Sequence, residues 1–237
     1  MGTKQWTFLE RATVTILQCR YSDALETLTE VFQNEAVLEA WKNRNTTEPY
    51  NDGKNSHSSS TSTTSKECRF LSVTPLPALP IRQSDGSFLN PFSIDQHGII
   101  FHNRSTRRQV LLGMCAVSLF NMAITYHRMA LTSLEDTKQT SREANCQKLF
   151  CQARVLYLQS NLLFKRVKKT LDPHETLTNV YLAICNNMIV VESHLGNSSE
   201  AWREELSQRF CLIPPRVECP VYQHFEEVLT YHFRTGA

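Results

Sequence analysis

Helical periodicity dominates the chain from about Arg107 to Phe210, and this pattern restricts the fold more than any other feature of the sequence. Apolar residues recur there at three- and four-residue spacing in four segments, parted by the polar stretch SLEDTKQTSREAN, by LDPHE and by LGNSSE. Pro173 suits the first turn of a helix capped by Asp172, and Gly196 suits a left-handed C-cap. Residues 4–44 read as two further helices jointed near CRYS, with Ser22 capping the second and Asp23 and Glu26 in its first turn. After Phe210, CLIPPRVECP is extended, and VYQHFEEVLTYHF reads as a final helix or a strand, with the helix favoured.

Two stretches interrupt the helices. Residues 45–67, rich in Ser, Thr and Asn and almost bare of large apolar groups, predict a disordered linker. Residues 68–104 carry prolines at 75, 77, 80 and 91, which forbid a helix. The β-favouring runs CRFLSV and GIIFHN, with a turn signal at Asp85-Gly86, predict a small hairpin there. The expected organisation is an N-terminal helix pair over 1–44, the linker, the hairpin segment, helical repeats over 105–212, and a C-terminal segment over 213–237.

Composition removes several classes of function. Lys and Arg (25) nearly balance Asp and Glu (23), so no global charge draws the chain to nucleic acid or acidic membrane, and no sequence-specific nucleic-acid partner is expected. The seven glycines are too dispersed to form a phosphate-cradling loop. The eight cysteines include no C-x-x-C, and most sit in apolar helical text, so they read as reduced thiols of a cytoplasmic or nuclear protein. The N-terminus lacks the apolar run of a signal peptide, and Trp6 stands where a myristoylation signal wants Ser or Thr. Residues 110–126 carry no charge, yet Asn121 interrupts them and His127 and Arg128 stop them, which favours a buried helix over a membrane span.

Within the helical text one arrangement recurs three times. In NNMIVVESHLGNSSEAW, Asn187 precedes the apolar face of Met188, Ile189 and Val191, Gly196 closes the helix, and Ala201 follows five residues later. In FNMAITYHRMA, Asn121, Met122, Ala123 and Tyr126 hold the same spacing, and Cys146, Phe150 and Ala153 follow after the polar insertion. In ATVTILQCRYSDALETLTEV, Ala12 and Ala24 lie twelve apart, with Cys19 at the glycine position, then Leu28 and Val31. This pattern resembles that of the tetratricopeptide repeat, over about 8–44 and 110–212. The resemblance implies a mainly α fold of antiparallel helix pairs, whose stacking supplies the core and leaves an inner groove for a protein or peptide partner. The first helix of each pair would line that groove, with Asn121, His127 and Arg128 from one copy and Asn187 and His194 from another. A carboxamide can hold a peptide backbone by donor and acceptor together, although Asn121 and Asn187 could equally tie neighbouring helices.

Catalytic chemistry has little to build on. There is no H-x-x-x-H, no H-E-x-x-H and no G-x-S-x-G, so no catalytic residue, metal or cofactor is expected. His224 and His232 lie two helical turns apart, too far for one ion, and read as surface histidines. The basic clusters Arg104, Arg107, Arg108 and Lys165, Arg166, Lys168, Lys169 read as helix-end charges, with phosphate binding as the sharper alternative. In LPALPIR, Pro77, Pro80 and Arg82 follow the order an SH3 domain reads from a polyproline II helix, or else simply stiffen a loop. The expected function is a non-catalytic interaction scaffold; the alternatives are an enzyme with a site between helices and a membrane-associated protein acting through residues 110–126.

Overall fold

The computed structural model describes residues 11–33, 72–75, 86–95, 104–135, 141–167, 176–212 and 220–235. The protein is mainly helical: α1 (11–17), α2 (Tyr21–Gln33), α3 (Arg104–Glu135), α4 (Ser141–Val167), α5 (Thr176–His194), α6 (Glu200–Phe210) and α7 (Pro220–Thr235). Strands β1 (Ser72–Pro75) and β2 (Phe92–Asp95) form one antiparallel pair, with Val73 opposite Ile94 and Pro75 opposite Phe92. All of the residues expected to form the linker, together with GIIFHN, Pro77, Pro80 and Arg82, lie outside the described residues.

Helices adjacent in sequence are neighbours in space, α2 on α3, α3 on α4, α4 on α5 and α5 on α6, and the α3–α4 contact is the most extensive. Small residues make that contact close. Ala116, Ala123 and Ala130 recur every seven residues on α3 and are fully buried, so the α4 backbone can approach. Ser160 Oγ of α4 donates to the Ala116 carbonyl at 2.8 Å, and Cys146 Sγ to the Ala130 carbonyl at 3.4 Å. These two bonds set an antiparallel register that brings Ala123 opposite Ala153, which is also fully buried. Phe120, Phe150, Tyr157, Met188 and Ile184 fill the spaces around this seam.

Two of the inter-helix turns are built alike. At the end of α5, Gly196 adopts φ +71°, its N–H bonds the Ser193 carbonyl, and the Asn197 N–H reaches the Glu192 carbonyl at 2.8 Å. At the end of α1, Cys19 takes φ +58°, its N–H bonds the Ile16 carbonyl, and the Arg20 N–H reaches the Thr15 carbonyl at 2.9 Å. Both are Schellman-type closures, and Cys19 fills a left-handed position that glycine occupies without strain.

Several boundaries differ from the sequence expectation. The described strand that pairs with β1 is Phe92–Asp95, in which Phe92 and Ile94 are buried while Ser93 is partly exposed. Helix α2 begins at Tyr21, and Arg20 rather than Ser22 supplies the first accepting carbonyl, to Ala24 N–H at 3.0 Å. Helix α3 runs to Glu135 and α4 starts at Ser141, so much of the polar insertion is helical. His224 turns inward from α7 against Phe88 and Phe225 rather than lying on the surface. Among the described residues one helical stretch, Val110–Leu134, is long and apolar enough to cross a membrane, and 89% of its most apolar window is buried against the rest of the fold.

Candidate binding groove

Asn121 and Arg128 stand seven residues apart on α3, hence on one face, and Asn186 and Asn187 lie midway along α5. These polar residues interrupt apolar helix faces, and each is at least 95% buried. Burial at that depth requires partners. They find them on the backbone of the extended segment 86–95, which lies across α3 and α5.

Asn187 Oδ1 accepts from the Phe88 N–H at 2.7 Å, and its Nδ2 donates to the Phe88 carbonyl at 2.7 Å. Four residues on, Asn121 repeats the arrangement: Oδ1 accepts from the Phe92 N–H at 3.0 Å and Nδ2 donates to the Phe92 carbonyl at 2.9 Å. Asn186 Nδ2 donates to the Gly86 carbonyl at 2.9 Å, and Arg128 Nη2 to the Leu89 carbonyl at 2.8 Å. Arg128 Nη1 also reaches the Ile16 carbonyl at 3.4 Å, which joins the end of α1 to the same network. Because Asn121 satisfies both backbone groups of Phe92, the opposite residue in the hairpin needs no N–H there, and it is Pro75.

Apolar contacts complete the grip. Phe88, Leu89, Phe92 and Ile94 are all at most 4% exposed. Phe92 packs against Phe120 with ring centroids 5.3 Å apart, and Phe88 against Phe92, Phe225 and His224. Helix α7 therefore closes over the N-terminal end of the segment. Burial pushes the His224 imidazole below its ordinary pKa, opposed by Glu227 and by a hydrogen bond to the backbone of Gly86.

Behind the asparagines sits Tyr157 of α4, fully buried. Asn187 Nδ2 donates to its hydroxyl at 3.0 Å, and His127 Nδ1 lies 3.3 Å from the same oxygen. His127 thus supports the clamp from the rear. His194 is exposed and stacks on Phe150 at 4.4 Å. Of the five residues expected to line a groove, Asn121, Arg128 and Asn187 converge on the segment. The asparagines hold a segment of the chain itself, and Asn187 also ties α5 to α4 through the Tyr157 hydroxyl.

Asn186 and Tyr157 escaped the sequence reading. The Asn186–Asn187 doublet in an otherwise apolar helix carried a signal for the first, whereas nothing in the text marks Tyr157 as different from an ordinary core aromatic.

Elsewhere, Tyr181 donates to Glu205, which also accepts from Arg209 Nε at 3.0 Å. The tyrosine hydrogen bond holds the Glu205 carboxyl below its ordinary pKa, and burial with that same carboxylate raises the Tyr181 phenol. Burial pushes the Cys115 and Cys185 thiols up to about 12. An open cleft between α1 and α2 is lined by mixed charges, among them Arg20 and Asp23, whose exposed side chains lie 3.5 Å apart. The described residues contain no cluster of three His, Cys, Asp or Glu able to hold a metal ion. The chain matches no protein-family model, no curated protein and no solved structure.

Proposed function

We propose that the chain is a non-catalytic interaction scaffold of tetratricopeptide-like helix pairs, whose inner face, formed by α3 and α5, holds extended polypeptide. One observation carries this reading: two buried carboxamides each grip one residue of an extended segment through both its N–H and its carbonyl. That mode recognises backbone, so it suits a partner segment as well as the chain's own.

Three further features support it. Cys19 and Gly196 occupy equivalent places in the recurring pattern and share a left-handed closure. Ala123 and Ala153, small in the pattern, are fully buried on the most extensive helix contact. The buried thiols are shifted upward, away from the thiolate that a nucleophilic cysteine needs. A cytoplasmic or nuclear setting accords with six described cysteines that are all free, three of them buried.

Affinity purification with mass spectrometry tests the reading on the intact chain. The Asn121→Ala, Asn187→Ala variant should lose the partners that wild type retains, while a surface change such as Leu212→Ser leaves them. An identical partner set from a double variant whose helical circular dichroism is intact sinks the proposal.

A further inference from the structure

The segment in the groove displays the chemistry the groove accepts. From Gly86 to Ile94 it reads GSFLNPFSI, with no charged side chain. The bonds from the groove asparagines and Arg128 fall on its backbone, at Gly86, Phe88, Leu89 and Phe92. A strand inside a sheet obtains such bonds from neighbouring backbones, whereas residues 86–91 belong to no strand and receive them from side chains. Specificity then rests on two aromatic anchors four residues apart, Phe88 beside Phe225 and Phe92 beside Phe120.

The rest of the fold does not depend on this strap in the same way. The α3–α4 seam, the α4–α5 contact and the α5–α6 pair are made without it, while its own pairing is a two-stranded hairpin, a form that is marginal alone. From this juxtaposition we infer that residues 86–95 occupy a docking site in cis, and that a partner protein enters by displacing them. The incoming element is an extended, uncharged segment with two aromatic residues at positions i and i+4. This rests on the groove reading above and adds competition to it. The apparent affinity for the partner is its intrinsic affinity multiplied by the fraction of time the strap is out.

A labelled peptide of residues 84–97, titrated into the full chain by fluorescence anisotropy, tests the competition. Phe88→Ala, Phe92→Ala in the chain weakens the cis occupant but leaves the groove lining, so peptide binding should tighten at least tenfold. Adding Asn121→Ala, Asn187→Ala to that variant, whose strap is already loosened, removes the clamps and should weaken peptide binding at least tenfold, and a peptide lacking both phenylalanines should not bind. No binding to a phenylalanine variant that keeps its helical signal overturns the inference. Should that variant lose its helices, hydrogen exchange on wild type decides: 86–95 exchanging while α3 to α5 stay protected supports displacement, and exchange only by global unfolding refutes it. Failure of the peptide together with partner loss in the asparagine variant rejects cis competition alone; failure of both rejects the groove itself.

Discussion

Replacing Asn187 by alanine removes three hydrogen bonds at a fully buried site: one from the Phe88 N–H, one to the Phe88 carbonyl and one to the Tyr157 hydroxyl. Each is worth about 1 kcal/mol net, and stranding the buried Phe88 groups adds the cost of unsatisfied partners, so the loss should reach about 3–5 kcal/mol. Asn121→Ala removes its two bonds to Phe92 and should cost about 2–4 kcal/mol by the same reasoning. The order matters as much as the size, with Asn187 the more sensitive. Both residues hold one segment, so the double variant should fall short of additivity by about 1 kcal/mol. Urea unfolding followed by circular dichroism gives the energies, and hydrogen exchange localises them. Protection should fall first around Phe88 in one variant and around Phe92 in the other. Losses below about 1 kcal/mol in both variants, with protection of 86–95 unchanged, would refute the claim that the carboxamides hold the segment.

Two other expectations come from single positions. Cys19→Gly should stabilise the protein by about 1 kcal/mol, because a side chain at φ +58° strains the α1–α2 turn; a lower unfolding midpoint contradicts that account. His224 is held below its ordinary pKa by burial, so the unfolded chain binds more protons just below pH 6.5 and stability should fall as pH drops through that window, by up to about 1.4 kcal/mol per unit. His224→Phe should flatten the slope between pH 7 and 5.5, and equal slopes in the two proteins would remove His224 as its source.

Local physics made much of this fold legible. Helix placement from Arg107 to Phe210 follows from apolar spacing, and the closure at Gly196 from the left-handed freedom of glycine. The choice of Asn121, Arg128 and Asn187 as groove candidates came from the tetratricopeptide resemblance, and polar side chains standing in apolar helices, where burial demands a partner, agree with it. The strand Phe92–Asp95 escaped the local pattern for a tertiary reason, since its register is set by which residues can send Phe92 and Ile94 into the core while Pro75 lies where no N–H is needed.

What the sequence determined by itself was therefore the helical class, the turns whose backbone demands one residue type, and the presence of buried carboxamides needing partners. What only tertiary structure decided was who those partners are. Periodicity reports which face of a helix is buried but not against what, and Asn187 and Phe88 are 99 residues apart in the chain. No local pattern connects them. Their meeting depends on α3, α4 and α5 closing along small-residue seams, which leaves an inner face whose polar groups the segment 86–95 satisfies.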